Sequence, residues 1–391
     1  MRWTRCPRSS TAIRKKRNKY LQFPENYSGV RNLKRSVTWA AALILAAALV
    51  LPANAISAEK AILLDAQTGR VLYEKNPDSQ SLIASTTKIM TALVVCEQCN
   101  VLDRMRIPKE AVGIEGSSMY LKEGEVLTVQ ELLYGLMLHS GNDAAVALAI
   151  YCGGTVEGFA QLMNDKARSL GMNNSHFVNP NGLDAPDHYS TARDLAILSA
   201  YAMKNPIFAK TVSTKTVTAG SRSLRNHNKL LWQVEGANGV KTGYTKAAGR
   251  ILVSGAVRQG RQLIAVTINA PSDWADHRTL LEQGFEGYRV RSLVKAGQCL
   301  GAVEVAGGTA GTVELIAAQD FSYAMAAGEQ VTIELPGMGF VYAPVAENQS
   351  AGYAYILVDG APAGTVKLIY GQTVERQPEP KRSFWQKLFG E

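Results

Sequence analysis

Apolar residues recur along the chain with two periods, and the change from one to the other divides it. Lys60-Ala-Ile-Leu-Leu-Asp65 and Arg70-Val-Leu-Tyr-Glu74 alternate on either side of Ala66-Gln-Thr-Gly69, which predicts a β-hairpin. Ser85-Thr-Thr-Lys-Ile-Met-Thr-Ala-Leu-Val-Val95 reads as an apolar helix opened by hydroxyl residues. Thr128-Val-Gln-Glu131 has the spacing of a capping box for a helix over Val129–Leu138. That helix runs into His139-Ser-Gly-Asn142, where Gly and Asn break the period. Further helical patterns cover residues 143–151, 156–170 and 191–203. Strand-like runs at 251–257 and 262–269 flank the turn Arg258-Gln-Gly-Arg261, and a helix near 273–288 follows. After about Lys295 only short β-rich runs remain, at 303–305, 312–317, 331–335, 340–344, 353–358 and 365–370, punctuated by Gly and Pro. The pattern predicts an α+β domain over residues 56–295 and a small separate β domain over 296–374. There is no convincing internal repeat.

Charge sharpens this division. The formal net charge is +9 over 391 residues, yet eleven of the 42 basic residues and only one of the 33 acidic ones lie in residues 1–36. The remainder is within one unit of neutral, so a globally basic nucleic-acid binder is excluded. The basic stretch leads into an uncharged apolar run, Val37 to Leu51, then Pro52 and Ala53-Asn-Ala55. This is the order of a secretory signal, with cleavage expected after Ala55; an uncleaved anchor is the alternative. Either way the working part is exported. At the other end, residues 375–391 form a tail in which Phe384, Trp385, Leu388 and Phe389 share one helical face beside Lys381, Arg382 and Lys387. Such an aromatic-basic face suits a membrane surface, although it is only about two turns long.

Past the signal the cysteines are Cys96, Cys99, Cys152 and Cys299, too few for a disulfide scaffold. Cys96 and Cys99 have redox or zinc spacing without a second pair or a His cluster. They are expected to pack as an i, i+3 pair on a helix, with a Cys96–Cys99 disulfide open in an oxidising compartment. No metal or cofactor is expected.

The chemistry-bearing signals are Ser85-Thr-Thr-Lys88, Ser140-Gly-Asn142 and Lys241-Thr-Gly243. Serine-x-x-lysine alone is noise, since Ser57–Lys60 and Ser292–Lys295 also match. Ser85 differs in opening an apolar helix of the kind a core buries, where free N–H groups favour developing negative charge. Lys88 lies one turn on and on the same face. It can take the serine's proton only when neutral, so burial or a nearby cation must lower its pKa, and Lys241 would be that cation. Ser140 and Asn142, at a helix break, can pass protons and hold the lysine beside a substrate amide. Lys241 with Thr242 is equipped to capture a carboxylate, and Gly243 lets a substrate backbone approach. Read singly, each has a bland counterpart: a helix N-cap, a Ser-Gly-Asn turn, and a loop with an exposed lysine.

Together the three motifs resemble those of class A β-lactamases and penicillin-binding proteins. More narrowly, about residues 58–372 resemble the serine D-alanyl-D-alanine carboxypeptidases. The resemblance includes Gly116-Ser-Ser-Met-Tyr-Leu-Lys-Glu-Gly124, Ser140-Gly-Asn-Asp-Ala144, Asn181-Gly-Leu-Asp-Ala-Pro186, Ser190-Thr-Ala-Arg-Asp194 and Gly239-Val-Lys-Thr-Gly-Tyr-Thr245 followed by Ala247-Ala-Gly249. It implies a transpeptidase-like α/β sandwich and removal of the terminal D-alanine from peptidoglycan stem peptides. Ser85 would be the acylated nucleophile and Lys88 the proton acceptor, with Ser140 and Asn142 in the relay. Lys241 and Thr242 would receive the substrate carboxylate, and the N–H groups of Ser85 and Tyr244 would form the oxyanion hole. β-Lactams would trap Ser85. A class A β-lactamase is the nearest rival, but no Glu-x-x-Leu-Asn segment lies between the second and third motifs. A silent wall-binding protein would be expected to have lost Ser85 or a lysine. A Ser-His-Asp hydrolase is disfavoured, because no Gly-x-Ser-x-Gly elbow occurs.

Overall fold

The computed structural model describes residues 56–378 apart from Met338. The expected signal and the aromatic-basic face of the tail fall outside the described residues. The first strands are β1 (Lys60–Asp65) and β2 (Val71–Lys75), followed by a 3-10 turn (Ala84–Thr87) and α1 (Lys88–Gln98). Then come β3 (Arg104–Arg106), β4 (Val126–Thr128), α2 (Val129–Leu138), α3 (Asn142–Gly153), α4 (Val156–Ser169), α5 (Ala192–Ala202) and α6 (Pro206–Ser213). A small hairpin, β5 (Thr216–Ala219) and β6 (Arg222–Arg225), leads through α7 (Leu230–Gln233) to β7 (Ala237–Thr245), β8 (Gly249–Arg258), β9 (Arg261–Ile268) and α8 (Asp273–Gly287).

The main sheet is antiparallel in the order β2-β1-β9-β8-β7. It is covered on both faces, and β1 shows how the pleat feeds two cores. Ile62 and Leu64 point into a large cluster with α1, α2, α3 and α5, whereas Ala61 and Leu63 join Leu280, Leu281 and Phe285 of α8. Strands buried on both faces read as nearly continuous apolar runs, which is why the sequence at 251–257 and 262–269 looks as it does. The predicted capping box is present: the Thr128 N–H donates to Glu131 Oε2 at 2.7 Å, and the Glu131 N–H donates to Thr128 Oγ1 at 3.1 Å. Helix α3 is buried over its first two turns, Asn142 to Ala149. An alanine-rich helix of this kind sits inside a domain rather than on it.

A second β unit follows. Strands β10 (Tyr288–Val294), β11 (Cys299–Ala306), β12 (Thr312–Ala317), β13 (Phe321–Ala326), β14 (Val331–Glu334), β15 (Phe340–Tyr342), β16 (Ser350–Val358) and β17 (Ala361–Tyr370) form two sheets. The larger has the order β14-β16-β17-β12-β11-β15, and β10 pairs with β13. β10 is a departure from the sequence reading. Its Tyr-Arg-Val-Arg-Ser-Leu-Val is mostly exposed and shows no one-sided apolar alternation.

Two further departures concern cysteine and charge. Cys99 caps the end of α1 and is bonded to Cys152 near the end of α3, with the Cα atoms 6.4 Å apart; the Cys96–Cys99 pairing is not made. Cys96 stays a thiol whose pKa burial pushes up to about 12. Arg70, read only as part of the first hairpin, clasps the C-terminal β unit. It donates to Glu329 through both terminal nitrogens and to the Ala324 carbonyl, between the rings of Tyr288 and Tyr323 at 5.0 and 5.1 Å. Both charged side chains are mostly buried. Arg70→Ala should therefore lower the unfolding free energy by about 1–3 kcal/mol in urea titration. Glu329→Gln should cost less, since the amide still accepts from Arg70 and no carboxylate is left stranded.

Candidate active site

Ser85 does not cap a helix. It sits inside the 3-10 turn that α1 continues, and this changes the geometry in a useful way. In a 3-10 turn residues i and i+3 eclipse, so Lys88 stacks directly over Ser85. Its Nζ lies 3.0 Å from Ser85 Oγ. The turn is entered through Ala84 at φ 45°, a left-handed conformation that a residue with a Cβ holds only when its surroundings impose it. Gly182 supplies part of that imposition: a Cβ there would stand 1.9 Å from the Ala84 carbonyl oxygen, so only glycine fits.

Lys88 is wholly buried. Besides Ser85 its Nζ meets Asn142 Oδ1 at 2.7 Å and the Asn181 carbonyl oxygen at 2.5 Å. All three partners are neutral. Burial, then the charge of Lys241, holds the Lys88 pKa well below the ordinary amine range, with Asp143 pulling the other way. A neutral amine has two N–H bonds and one lone pair. Given to Asn142 and Asn181, the two N–H bonds leave the lone pair facing the Ser85 hydroxyl.

The second motif starts α3. Ser140 takes φ 64° and lines the same cleft as Ser85, while Asn142 reaches Lys88 from inside the domain. Asn142 is held from both sides. Its Nδ2 donates to the Glu115 carbonyl at 2.5 Å, and its backbone N–H donates to Ser117 O at 2.7 Å. The next residue, Asp143, fixes the segment that does this. Its carboxylate accepts from the N–H groups of Met119 and Leu121, both at 3.0 Å, and from Ser118 Oγ at 2.7 Å.

The third motif, for which a loop was the bland counterpart, lies in a strand. Lys241, Thr242, Gly243 and Tyr244 lie in β7, the sheet edge that passes the 3-10 turn. A Cβ on Gly243 would come within 3.3 Å of the Ser85 nitrogen, so this glycine keeps open the space in front of that amide. Lys241 is 1% exposed and lies behind the wall, its Nζ donating to the Thr242 carbonyl at 2.8 Å. Thr242, not Lys241, lines the cleft, a space of about 430 Å³ shared with Ser85, Ser140, Gly243 and Tyr244. Burial lowers the Lys241 pKa to about 7.

Sequence reasoning missed several cleft residues. The Asn181 carbonyl had no signal beyond its Asn-Gly turn. His227, Lys229, Arg250, Asp273 and Trp274 also line the cleft, and Arg250 donates to both Asp273 oxygens at 3.0 Å. None stands in a recognisable motif. His188 is near but otherwise engaged: its Nδ1 accepts from the Val178 N–H at 3.2 Å, so Nε2 carries the proton and donates to Thr87 Oγ1 at 2.7 Å. Burial first, then His176 and Lys88, lowers its pKa to about 4. Among the described residues no group of three or more His, Cys, Asp or Glu could hold a metal ion.

Comparison with known proteins finds a family model described as D-alanyl-D-alanine carboxypeptidase over residues 47–272. A second, the C-terminal domain of penicillin-binding protein 5, matches residues 288–376. The D-alanyl-D-alanine carboxypeptidase DacF of Bacillus subtilis is 34% identical over 319 residues, 78% of this chain and 82% of that protein. The crystal structure of penicillin binding protein 5 from Haemophilus influenzae superposes with a TM-score of 0.73 at 30% identity, over 82% of this chain and 98% of that one. A mutant of the Streptomyces K15 DD-transpeptidase is 36% identical with a TM-score of 0.57, over 59% of this chain and 98% of the other.

The buried lysines tie the site to stability. Between about pH 7, where folded Lys241 loses its proton, and 10.5, where the unfolded chain loses it, the unfolded state binds more protons, so stability rises with pH. Lys241→Met should therefore raise the melting temperature most below pH 7 and progressively less toward pH 10.5. Thermal melts across that range check this, and a gain independent of pH would refute it.

Proposed function

The chain belongs to the D-alanyl-D-alanine carboxypeptidase family, and from that premise we propose that it removes the terminal D-alanine of peptidoglycan stem peptides through an acyl-enzyme on Ser85. Penicillin binding follows from the same site. The observation that carries the reading is the 3.0 Å approach of a fully buried Lys88 Nζ to Ser85 Oγ. Lys88 takes the hydroxyl proton as Oγ attacks the penultimate D-alanine carbonyl. The oxyanion forms against the N–H groups of Ser85 and Tyr244, in the space that Gly243 leaves free. The leaving group's carboxylate meets the Thr242 hydroxyl, with the charge of Lys241 behind it. The proton then passes from Lys88 to the departing nitrogen, with Ser140 on the route. Water, deprotonated by the same lysine, releases the product. Because the substrate is cell-wall peptidoglycan, the enzyme works outside the cytoplasm; the expected signal in residues 1–55 supports this, and the tail would supply peripheral membrane attachment.

A fluorescent penicillin should label Ser85 alone, and a pentapeptide stem should lose one D-alanine. Ser85→Ala should abolish both without altering the thermal unfolding curve. An adduct mapped to Ser57 or Ser292 would sink the assignment. Asn142→Asp is the sharper test of the base. A carboxylate at 2.7 Å would pin the proton on Lys88, so acylation at neutral pH should fall about 10²–10⁴-fold and its acidic limb move to higher pH. An unchanged pH profile would rule out Lys88 as proton acceptor.

A further inference from the structure

The charges of the cleft wall are unevenly spent. Among the residues lining the cleft, Asp273 is the sole carboxylate. It is 4% exposed, both its oxygens accept from Arg250 Nη2 at 3.0 Å, and Oδ1 also accepts from the Trp274 N–H at 2.9 Å. Arg250 is committed far less. Its side chain is 45% exposed, and its Nε and Nη1 have no hydrogen-bond partner among the described residues. It is also held firmly. Its carbonyl accepts from the Ala270 N–H at 3.0 Å, on the same segment that carries the aspartate gripping its side chain. Lys229 is the other exposed cation of this wall, its ammonium 6.0 Å from the Trp274 ring centroid. A fixed guanidinium with unspent donors, and no free acid beside it, is equipped to receive a carboxylate.

Strand register sets this group along the substrate. Arg250 is the partner of Tyr244 across β7 and β8, so the two side chains leave the same face of the sheet. In the proposed reaction the scissile carbonyl faces the Tyr244 N–H, and the leaving carboxylate faces Thr242, two residues upstream. Arg250 is therefore level with the acyl half of the substrate, about 7 Å along the strand from the place of the leaving carboxylate. The penultimate D-alanine has only a methyl group to present there, so an anion must come from the residues before it.

We propose that Arg250, set in place by Asp273, is a specificity-determining residue that binds a free carboxylate carried by the stem peptide on the N-terminal side of its D-alanyl-D-alanine end. This rests on the roles given above to Ser85, Tyr244 and Thr242. Two residues could supply such a group. One is a diamino acid whose far end carries its own carboxylate; the other is a γ-linked glutamate one position further back, with its α-carboxylate free. A lysine-type arm ends in an ammonium instead. It would meet the Arg250 charge and find no unspent acid in the wall, so the same residue that attracts the one arm repels the other. The bond broken and the proton's route stay as described above; what Arg250 decides is which stem peptide is held while Ser85 attacks.

The test measures D-alanine release by the full chain from four synthetic pentapeptides. They carry meso-diaminopimelate or lysine at the third position, and glutamate or its α-amide at the second. Removing the deciding carboxylate should lower the wild-type kcat/KM about tenfold or more, chiefly through KM, and whichever change does so names the source. Arg250→Gln should bring the ratio between peptides with and without that carboxylate to about one, and Arg250→Lys should keep part of it. Arg250→Gln strands a buried carboxylate, so Arg250→Gln/Asp273→Asn is the companion variant and should lose the same preference. Wild-type rates within about twofold on all four peptides would overturn the inference and leave the carboxypeptidase reading standing. So would an Arg250 variant that slows all four alike, since that marks a structural role or a contact with the terminal carboxylate. A wild type inert on all four would remove the carboxypeptidase reading and this inference with it.

Discussion

An amine taken wholly out of water and offered only neutral partners is the constraint on which the site depends. Among the described residues Lys88 has no carboxylate within hydrogen-bonding distance; Asp143 is close enough to be felt but gives its oxygens to Met119, Leu121 and Ser118. Desolvation then acts against the ammonium with little to oppose it, and Lys241 adds like-charge repulsion. In the proposed mechanism the interior would thus perform the activation that a histidine–carboxylate pair performs elsewhere, through burial rather than a third catalytic side chain.

Such a pocket has to be enforced, because a chain left to itself would let a lysine reach water. The enforcement comes from three segments distant in sequence. The 3-10 turn sets Ser85 and Lys88 in eclipse, the buried start of α3 brings Asn142, and the Asn181–Gly182 turn closes over both. Two glycines matter here for what they lack. At Gly182 any Cβ would strike the carbonyl of Ala84, and at Gly116 one would stand 2.8 Å from Asn142 Nδ2. The Gly116 and Asn181 motifs thus have a mechanical reading: each is a lid that fits only without a side chain.

What the sequence disclosed and what it hid follow from this. The first hairpin, the capping box at Thr128 and the buried helix after Asn142 were legible because period and cap chemistry are local. The α+β layering with a C-terminal β unit was legible for the same reason. Ser85 was expected to open the helix and lies instead in the 3-10 turn before it, since a 3-10 turn and a first α-turn share the same hydroxyl-rich pattern. β7 was not drawn as a strand because an edge strand facing a cleft carries Lys, Thr and Tyr where a core strand carries Val and Ile. β10 was hidden by its charges, and Cys152 by 53 residues of separation from its partner. The Asn181 carbonyl and His227 are contributions of tertiary structure, and no spacing announces them.

In the proposed mechanism the lysine pair would also settle a difficulty that a single buried base would meet. A base strong enough to take a serine proton is reluctant to surrender it, and acyl transfer needs the proton back at the leaving nitrogen. Once Lys88 is protonated it becomes a cation without a counterion in a dry pocket, facing a second buried amine whose charge already repels it. That state is less stable than the neutral amine for the same reasons that made the amine neutral. The departing nitrogen, growing basic as its bond to carbon breaks, offers the proton a solvated destination at the cleft mouth. In the proposed mechanism burial and like charge would therefore serve both halves of the transfer: they would ready Lys88 to accept, and keep it from holding what it has accepted.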